Sequence, residues 1–465
     1  MSFKLGGQEV PHRTVFLAFS EIVLVISVLL ATMSVHGFFT HGGGQSLQWR
    51  DLAQVILVTL ISGVCLYYND IYELNATRNL TSTLVRLSEA FGITCFVLAA
   101  LYFAVPSVRV REGVTIEAAP LIVLMIFAWR LMLERAGLMS RRDEKALVLG
   151  TGPVGIAAVR EVCARPELNL EVVGFLDSDP RNVGKPLVNP GIVATIDDLE
   201  TMIVRYKVTR VIIAPKEEQM VPTSTLLRLK FAGIAVEDAG ALLERITGRI
   251  AVDTAAEPRW LILSDGFRRS RFTLLIKRMF DVAVASTLLI LSLPAMALVA
   301  VAIVWESGFP ILFRQTRIGL NEKPFQILKF RSMKADAEAQ GPAWTSDNDR
   351  RITRVGHFIR THRLDELPQL LNVLRGDMSL IGPRPEQPYF CQLLEKEIPF
   401  FEQRHRVRPG ITGWAQIKYR YTGNVEDARR KLEFDMFYIK HLSPILDFVI
   451  VLETLKVVLN ARGSK

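Results

Sequence analysis

Apolar residues are distributed along the chain in two distinct patterns. Over residues 1–140 they form four uninterrupted runs, Val15–Val35, Leu52–Tyr68, Leu84–Val105 and Ala118–Leu133. Each is roughly long enough to cross a hydrocarbon layer of about 30 Å, so four transmembrane helices are expected. The first run is too long for a signal-peptide core and lacks a small-residue cleavage site, so it is expected to be retained. Basic residues orient the set: Lys4 and Arg13 precede the first run, Arg78 and Arg86 flank the second connection, and Arg135, Arg141, Arg142 and Lys145 follow the fourth. Those segments are assigned to the cytoplasm, although Arg109 and Arg111 in the third connection run against the assignment. Glu21, Arg86, Glu89 and Arg130 either line a polar pathway or pair and snorkel on buried faces.

From Lys145 the pattern shortens into alternating strands and helices. Ala146–Leu149 reads as a strand, Gly150, Gly152 and Gly155 follow it, a helix runs to about Ala164, and Glu171–Leu176 is a second strand ending at Asp177. This is a βαβ unit with the glycine spacing of a dinucleotide fingerprint and an acid at the ribose-binding position, which makes Gly150, Gly152, Gly155 and Asp177 candidate cofactor-binding residues. The alternatives are a regulatory nucleotide or nucleotide-sugar site and a loop kept for packing or dimer contacts. Val208–Ala214 and Ile234–Glu237 read as further strands and Ser224–Phe231 as a helix. The expected organisation is therefore a membrane region over 1–140, a Rossmann-like α/β domain over 141–240, a linker over 241–271 and a last domain over 272–465.

That last domain opens with another long apolar run, Val282–Val304, with Pro294 at its centre. Its length predicts a span. Its flanks do not: Arg268, Arg269, Arg271, Lys277 and Arg278 precede it, and Arg314, Arg317, Lys323, Lys329 and Arg331 follow. Both flanks are then cytoplasmic, which a re-entrant helix satisfies, with a bend at Pro294 and Ser292 helping to satisfy the freed carbonyls. Ile311–Gly319 and Phe325–Phe330 read as strands, and a final helix through Asn460 has apolar residues suited to packing or to the membrane surface.

Composition fits a membrane protein: 465 residues, 50% hydrophobic, mean hydropathy +0.26 and pI near 9.4. A formal charge of +9 would suit anionic lipid, nucleic acid or phosphate-bearing substrates, and the membrane runs favour the first and last. Cys65, Cys95, Cys163 and Cys391 are scattered without a CxxC pair, so neither a disulfide framework nor a zinc site is expected.

The chemistry concentrates in Arg360–Pro385, RTHRLDELPQLLNVLRGDMSLIGPRP. Leu367, Leu370, Leu371 and Leu374 recur at helical spacing before Gly376, which predicts a short helix starting at about Asp365. Asp365 and Glu366 would then sit at its positive end among Arg360, Arg363, Arg375 and Arg384, where an ionised carboxylate is stabilised beside a phosphate and can act as a nucleophile. The plainer alternative is an N-cap and a first-turn charge. Farther on, Arg404–Gln416 (RHRVRPGITGWAQ) offers either a basic turn for lipid headgroups or a phosphate pocket involving Arg408. Asp347–Gly356 could orient a sugar or be a surface turn, and Lys431 with Asp435 reads as an i, i+4 ion pair.

KFRSM at Lys329–Met333, DELPQLLNVLRGDMSLIGPRP and RPGITGWAQ together resemble the blocks of the bacterial polyprenyl-phosphate glycosyl-1-phosphate transferases, and the likeness runs from Arg271 to the C-terminus. The N-terminal part is similar to the long form of that family. The resemblance implies transfer of a hexose 1-phosphate from a UDP-sugar donor to a polyprenyl phosphate acceptor, with UMP released, at the bacterial inner membrane with the catalytic domain facing the cytoplasm. It implies a covalent intermediate on Asp365, a re-entrant membrane helix and a homodimer, and no nucleic acid partner. On that reading Glu366 holds Mg²⁺, and Lys329, Arg331, Arg360, Arg384 and Arg408 contact phosphates. Arg363 stands where the family often has a small hydroxyl residue. The rivals are a Rossmann-type nucleotide-sugar oxidoreductase or epimerase, for which no Tyr-x-x-x-Lys pair follows the glycines, and a non-enzymatic membrane scaffold.

Overall fold

The computed structural model describes residues 2–5, 8–41, 49–69, 71–72, 80–108, 110, 114–136, 144–216, 221–251, 266–267, 270–334, 351–419 and 424–459. The chain divides into two compact units.

The first unit follows a short paired N-terminal hairpin, β1 (Ser2–Leu5) and β2 (Gln8–Pro11). Its helices α1 (His12–His41), α2 (Trp49–Tyr68), α3 (Leu80–Ala104) and α4 (Val114–Arg135) realise the four apolar runs. α1 packs on α2 and α4, and α3 on the same two. Their shared core includes Leu29, Met33, Val58, Leu87, Phe91 and Ile126. The outward side is also apolar, with Phe19, Phe96 and Ile116 largely exposed. Hydroxyls inside these helices bond back to their own backbone, as Thr59 and Ser62 do to Val55 O and Val58 O, which satisfies them without a partner on another helix. Glu21 and Arg130 pair, Nε to Oε1 at 2.6 Å, with Arg130 also donating to Ile71 O. Pairing, rather than a lined pathway, is what these residues do here.

The second unit contains a five-stranded parallel sheet of β3 (Glu144–Leu149), β4 (Leu170–Asp177), β5 (Ile192–Thr195), β6 (Arg210–Ile213) and β7 (Ala235–Asp238) in the order β5-β4-β3-β6-β7. Helices α5 (Pro153–Cys163), α6 (Leu199–Tyr206), α7 (Thr223–Phe231) and α8 (Ala239–Thr247) accompany it. β3 and β6 carry the fully buried Leu147, Val148, Val211 and Ile212, the continuous apolar runs that a sheet covered on both faces requires. β5 and α6 lie beyond a proline-rich stretch and were not expected. The linker expected over 241–271 needs correction: its start is α8, capped by Asp238 on Gly240 N and Ala241 N. Glu244 of α8 takes hydrogen bonds from Lys440 and His441, and Gly248 O accepts from Trp414 Nε1 at 2.7 Å. These contacts fasten residues 244–248 to the C-terminal part; residues 252–265, 268 and 269 lie outside the described residues.

The C-terminal part begins with α9 (Arg271–Ser307), 37 residues of uninterrupted helix through Pro294. Helical hydrogen bonding thus continues past the proline at which a bend is expected, and Ser292 Oγ donates to Leu289 O at 3.2 Å. A straight helix of that length would reach about 55 Å, yet both ends are tied to one α/β body. Near its start Lys277 pairs with Asp447 at 2.8 Å, Arg278 donates to Val373 O and Leu374 O, and Asp281 accepts from Ser379 and Leu380 N. The antiparallel hairpin β8 (Leu312–Ile318) and β9 (Pro324–Phe330) follows. Then come α10 (Arg354–Thr361), a 3₁₀ turn over Leu364–Glu366, α11 (Gln369–Arg375), β10 (Ser379–Ile381), α12 (Pro388–Glu397), β11 (Gly410–Thr412) paired parallel to β10, α13 (Trp414–Lys418), α14 (Val425–Lys440) and α15 (Pro444–Leu459). Their core is built on Trp414 stacked against Phe437, with Val373, Ile381 and Phe401.

Candidate active site

Backbone geometry around the two carboxylates differs from the expected helix start. Arg363 adopts the left-handed conformation (φ 57°) and turns the chain into the 3₁₀ segment carrying Asp365 and Glu366. α11 starts only at Gln369, with Pro368 as its N-cap. Proline at this junction removes no needed donor, and the carboxylates precede the helix by a turn instead of capping it. Both are largely buried, 8% and 9% exposed, but they face a cavity of about 1210 Å³ rather than packed interior.

The cavity has a charged wall and an apolar one. Lys329, Arg331, Arg360, Asp365, Glu366 and Arg384 line the first, while Leu293, Met296, Ala297 and Ala300 of α9 and the 309–313 segment line the second. Phosphate and hydrocarbon can therefore meet in one space. Glu366 Oε1 lies 3.2 Å from Arg384 and 3.6 Å from Lys329. Burial alone would raise its pKa, but Arg384 and then Lys329 carry it down to about 2. Lys329 is lowered to about 8 by burial, against the pull of Glu366. Arg384 is raised by Glu366. Asp365 behaves differently: burial and the neighbouring Glu366 charge raise it. It makes no hydrogen bond or ion pair with the described residues. The pair thus divides into one fixed anion and one uncommitted, destabilised carboxylate, and the second is the better nucleophile.

Asn372, fully buried, holds the two halves of the charged wall together. Its Oδ1 accepts from Leu328 N at 3.0 Å and its Nδ2 donates to Gln326 O at 2.8 Å, which fixes β9 and hence Lys329 against α11. Behind Arg384, Arg404 donates to Arg384 O at 3.0 Å and to Asp435 at 2.9 Å. Asp435 is pushed up to about 6 by burial despite Arg404, and Arg404, not Lys431 as expected, is its close ion-pair partner.

Other expected site residues are placed differently. Arg331 lines the cavity, but its guanidinium is used as a cap: it donates to Ser307 O at 2.7 Å, to Ser307 Oγ and to Gly308 O. Arg408 does not line the cavity; its Nε donates to Gly376 O at 3.0 Å. The Arg360 side chain lines the cavity and makes no hydrogen bond to the described residues. Arg314 and Lys334 also line it and were not singled out. Of Asp347–Gly356, residues 347–350 lie outside the described residues. Asp177 is 2% exposed and already accepts from Thr151, Asn182 and Asp179 N. A Cβ on Gly150 would stand 2.4 Å from Ala214 O and one on Gly152 2.6 Å from Pro215 O. The space these glycines keep open is filled by protein backbone, which fits the packing alternative over a dinucleotide cradle.

Among the described residues no group of three His, Cys, Asp or Glu side chains could hold a metal ion. Magnesium does not need one, since it commonly binds through one or two carboxylates and substrate phosphates. Glu366 Oε2 has no hydrogen-bond partner among the described residues, and Asp365 stands beside it, so the donor set fits.

Residues 272–461 match the family model described as "Bacterial sugar transferase". A UDP-glucose:undecaprenyl-phosphate glucose-1-phosphate transferase of Caulobacter vibrioides is 43% identical over 216 residues, 46% of this chain and 81% of that protein. The exopolysaccharide production protein PSS of Rhizobium leguminosarum bv. phaseoli is 40% identical over 187 residues, 39% of this chain and 94% of that one. The chain belongs to the bacterial sugar transferase family. It is also 43% identical over 240 residues, 52% of its length, to a UDP-N-acetylgalactosamine-undecaprenyl-phosphate N-acetylgalactosaminephosphotransferase of Aeromonas hydrophila, 56% of which is covered. With coverage of 39% of an Escherichia coli relative, the chain spans about half or less of the length of several curated relatives. The family match covers the whole charged wall and α9, and neither the first unit nor the parallel sheet.

Proposed function

We propose that this protein is a membrane-bound phosphoglycosyl transferase that moves a hexose 1-phosphate from a UDP-sugar to undecaprenyl phosphate and releases UMP, as the first membrane step of exopolysaccharide or capsule assembly. The observation that carries the reading is the division of the carboxylate pair: Asp365 uncommitted at the cavity and Glu366 locked by Arg384 and Lys329. A carboxylate oxygen of Asp365 attacks the β-phosphorus of the donor and the bridging P–O bond to the nucleoside phosphate breaks. UMP leaves, and the sugar phosphate is held as an acyl phosphate. An oxygen of the lipid phosphate then attacks the same phosphorus, the acyl–oxygen bond to phosphorus breaks, and the carboxylate is restored. Lys329, Arg360 and Arg384 orient and screen the phosphate oxygens, the planar guanidinium forks suiting that task. Glu366 would hold Mg²⁺ through Oε2, and the bound ion supplies withdrawal of charge from the diphosphate.

The two tied ends of α9 support a re-entrant reading of that helix, because a crossing helix would separate them by the thickness of a bilayer. Four transmembrane helices, a Rossmann-like domain used for packing and a homodimer complete the proposal, with the catalytic part on the cytoplasmic side of the inner membrane. The test is UMP release from a panel of UDP-sugars by the full chain in membranes with undecaprenyl phosphate and Mg²⁺. Release by wild type that Asp365→Asn and Glu366→Gln both abolish supports the reading; release undiminished in Asp365→Asn refutes it.

A further inference from the structure

The C-terminal end of α9 and the N-terminal end of α10 are joined by a carboxylate that α9 supplies to the first turn of α10. Glu306, next to last in α9, accepts from Arg354 N at 2.8 Å through Oε1 and from Val355 N at 2.9 Å through Oε2. Gly356 N is taken by the helix's own cap, Thr353 Oγ1, at 2.9 Å. The first three donors of α10 are thus satisfied, two of them by a carboxylate from an apolar helix 48 and 49 residues upstream. A carboxylate suits that position because first-turn N–H groups are otherwise orphaned and carry the positive end of the helix dipole. The same end of α9 is held from another side: Arg331, just after β9, donates to Ser307 O and to Gly308 O. α10 is seated closely, since a Cβ on Gly356 would fall 1.9 Å from Ser332 O. It then delivers Arg360 to the cavity and runs through Arg363 into the turn bearing Asp365. Ile359 of α10 and Val299 and Ile303 of α9 share one small apolar cluster with Phe330.

We propose that Glu306 is a positioning residue that sets Arg360 and the Asp365 turn from the end of the apolar helix, so that the seating of α9 fixes the reach of the nucleophile. The inference rests on the reaction proposed above. Glu306 touches no substrate and acts only through the frame of α10. Losing it frees two amides and lets α10 shift against β9, and a displacement near 1 Å at a reacting group costs about 100-fold in rate.

The experiment uses the full chain in lipid nanodiscs, comparing wild type with Glu306→Gln, Glu306→Ala and Glu306→Asp by UMP release and by hydrogen exchange of peptides covering 351–367. The expected result is a fall in kcat of about 10- to 100-fold in Glu306→Gln and Glu306→Ala, with donor KM within about twofold. Part of the rate returns in Glu306→Asp, and faster exchange is confined to 351–367. An unchanged kcat in Glu306→Ala overturns the proposal, as does a loss accompanied by faster exchange throughout 312–459, which marks general loosening. If wild type itself releases no UMP from any donor, the reaction reading fails separately. Exchange then decides the latch alone: deprotection confined to 351–367 sustains it, and unchanged protection overturns it.

Discussion

Lys329 makes the electrostatic account quantitative. Its ammonium is lowered to about 8, mainly by burial, while Glu366 works to keep it charged. A lysine whose pKa is depressed gives up its charge as pH rises through that value, so the clamp is intact on the acid side of about 8 and lost above it. The charged fraction falls from about nine-tenths near pH 7 to about one-tenth near pH 9, so kcat/KM should drop roughly eightfold to tenfold across that interval. Because kcat/KM reports the free enzyme, the limb should appear there first. In kcat it should move upward, since bound phosphates restore the charge. Lys329→Arg carries a guanidinium that stays charged throughout and should abolish the limb, while Lys329→Met should lower kcat/KM by about 10²- to 10³-fold near pH 7 and by about tenfold less near pH 9, where most of the wild-type lysine is already neutral. Lys431 is also lowered to about 8 by burial, but it does not line the cavity, so Lys431→Arg should leave the limb in place. The assay is initial-rate UMP release with membranes in overlapping buffers. A limb near 8 that survives in Lys329→Arg, or none below about pH 10 in wild type, would refute the reasoning.

On the acid side, Asp365 is raised by burial and by Glu366, so its ionised form is lost as pH falls toward that raised value; kcat/KM for UMP release by wild type should decline there. Arg384→Ala removes the nearest partner of Glu366 at 3.2 Å; donor turnover should fall by about 10²- to 10³-fold, measured as UMP release. Asn372→Ala leaves the buried Leu328 N, and the carbonyl of the exposed Gln326, without their partner; thermal unfolding of the full chain should show a loss of about 1–3 kcal/mol.

Long apolar runs were legible because period and length alone identify them: all four N-terminal helices and α9 fall where hydropathy places them. The strands of the parallel sheet were partly legible. β5 and α6 were missed because four-residue strands beyond Pro186 and Pro190 carry no period long enough to read. The Asp365–Glu366 pair, Lys329, Arg360 and Arg384 could be found from charge clustered beside turn residues. Their division into a fixed and a free carboxylate could not, because it depends on which oxygen Arg384 reaches across 18 residues. Arg331 and Arg408 were assigned to phosphate by the resemblance; which backbone carbonyls they reach, Ser307 O and Gly308 O for Arg331 and Gly376 O for Arg408, is set by tertiary contacts that the sequence does not show. Asn372 left a detectable trace, a polar side chain three residues after Gln369 on a helix face that is otherwise apolar. The contact between Glu306 and α10 left none, since its donors are backbone amides.

The central claim is tested most directly by intact mass measurement of the full chain after brief exposure to a UDP-hexose and Mg²⁺ without lipid acceptor. The account predicts a mass increase equal to one hexose phosphate less the elements of water, located on Asp365 by fragmentation, absent in Asp365→Asn and removed on adding undecaprenyl phosphate. An enzyme that turns over donor and acceptor normally yet never carries that mass, or carries it on another residue, would contradict it.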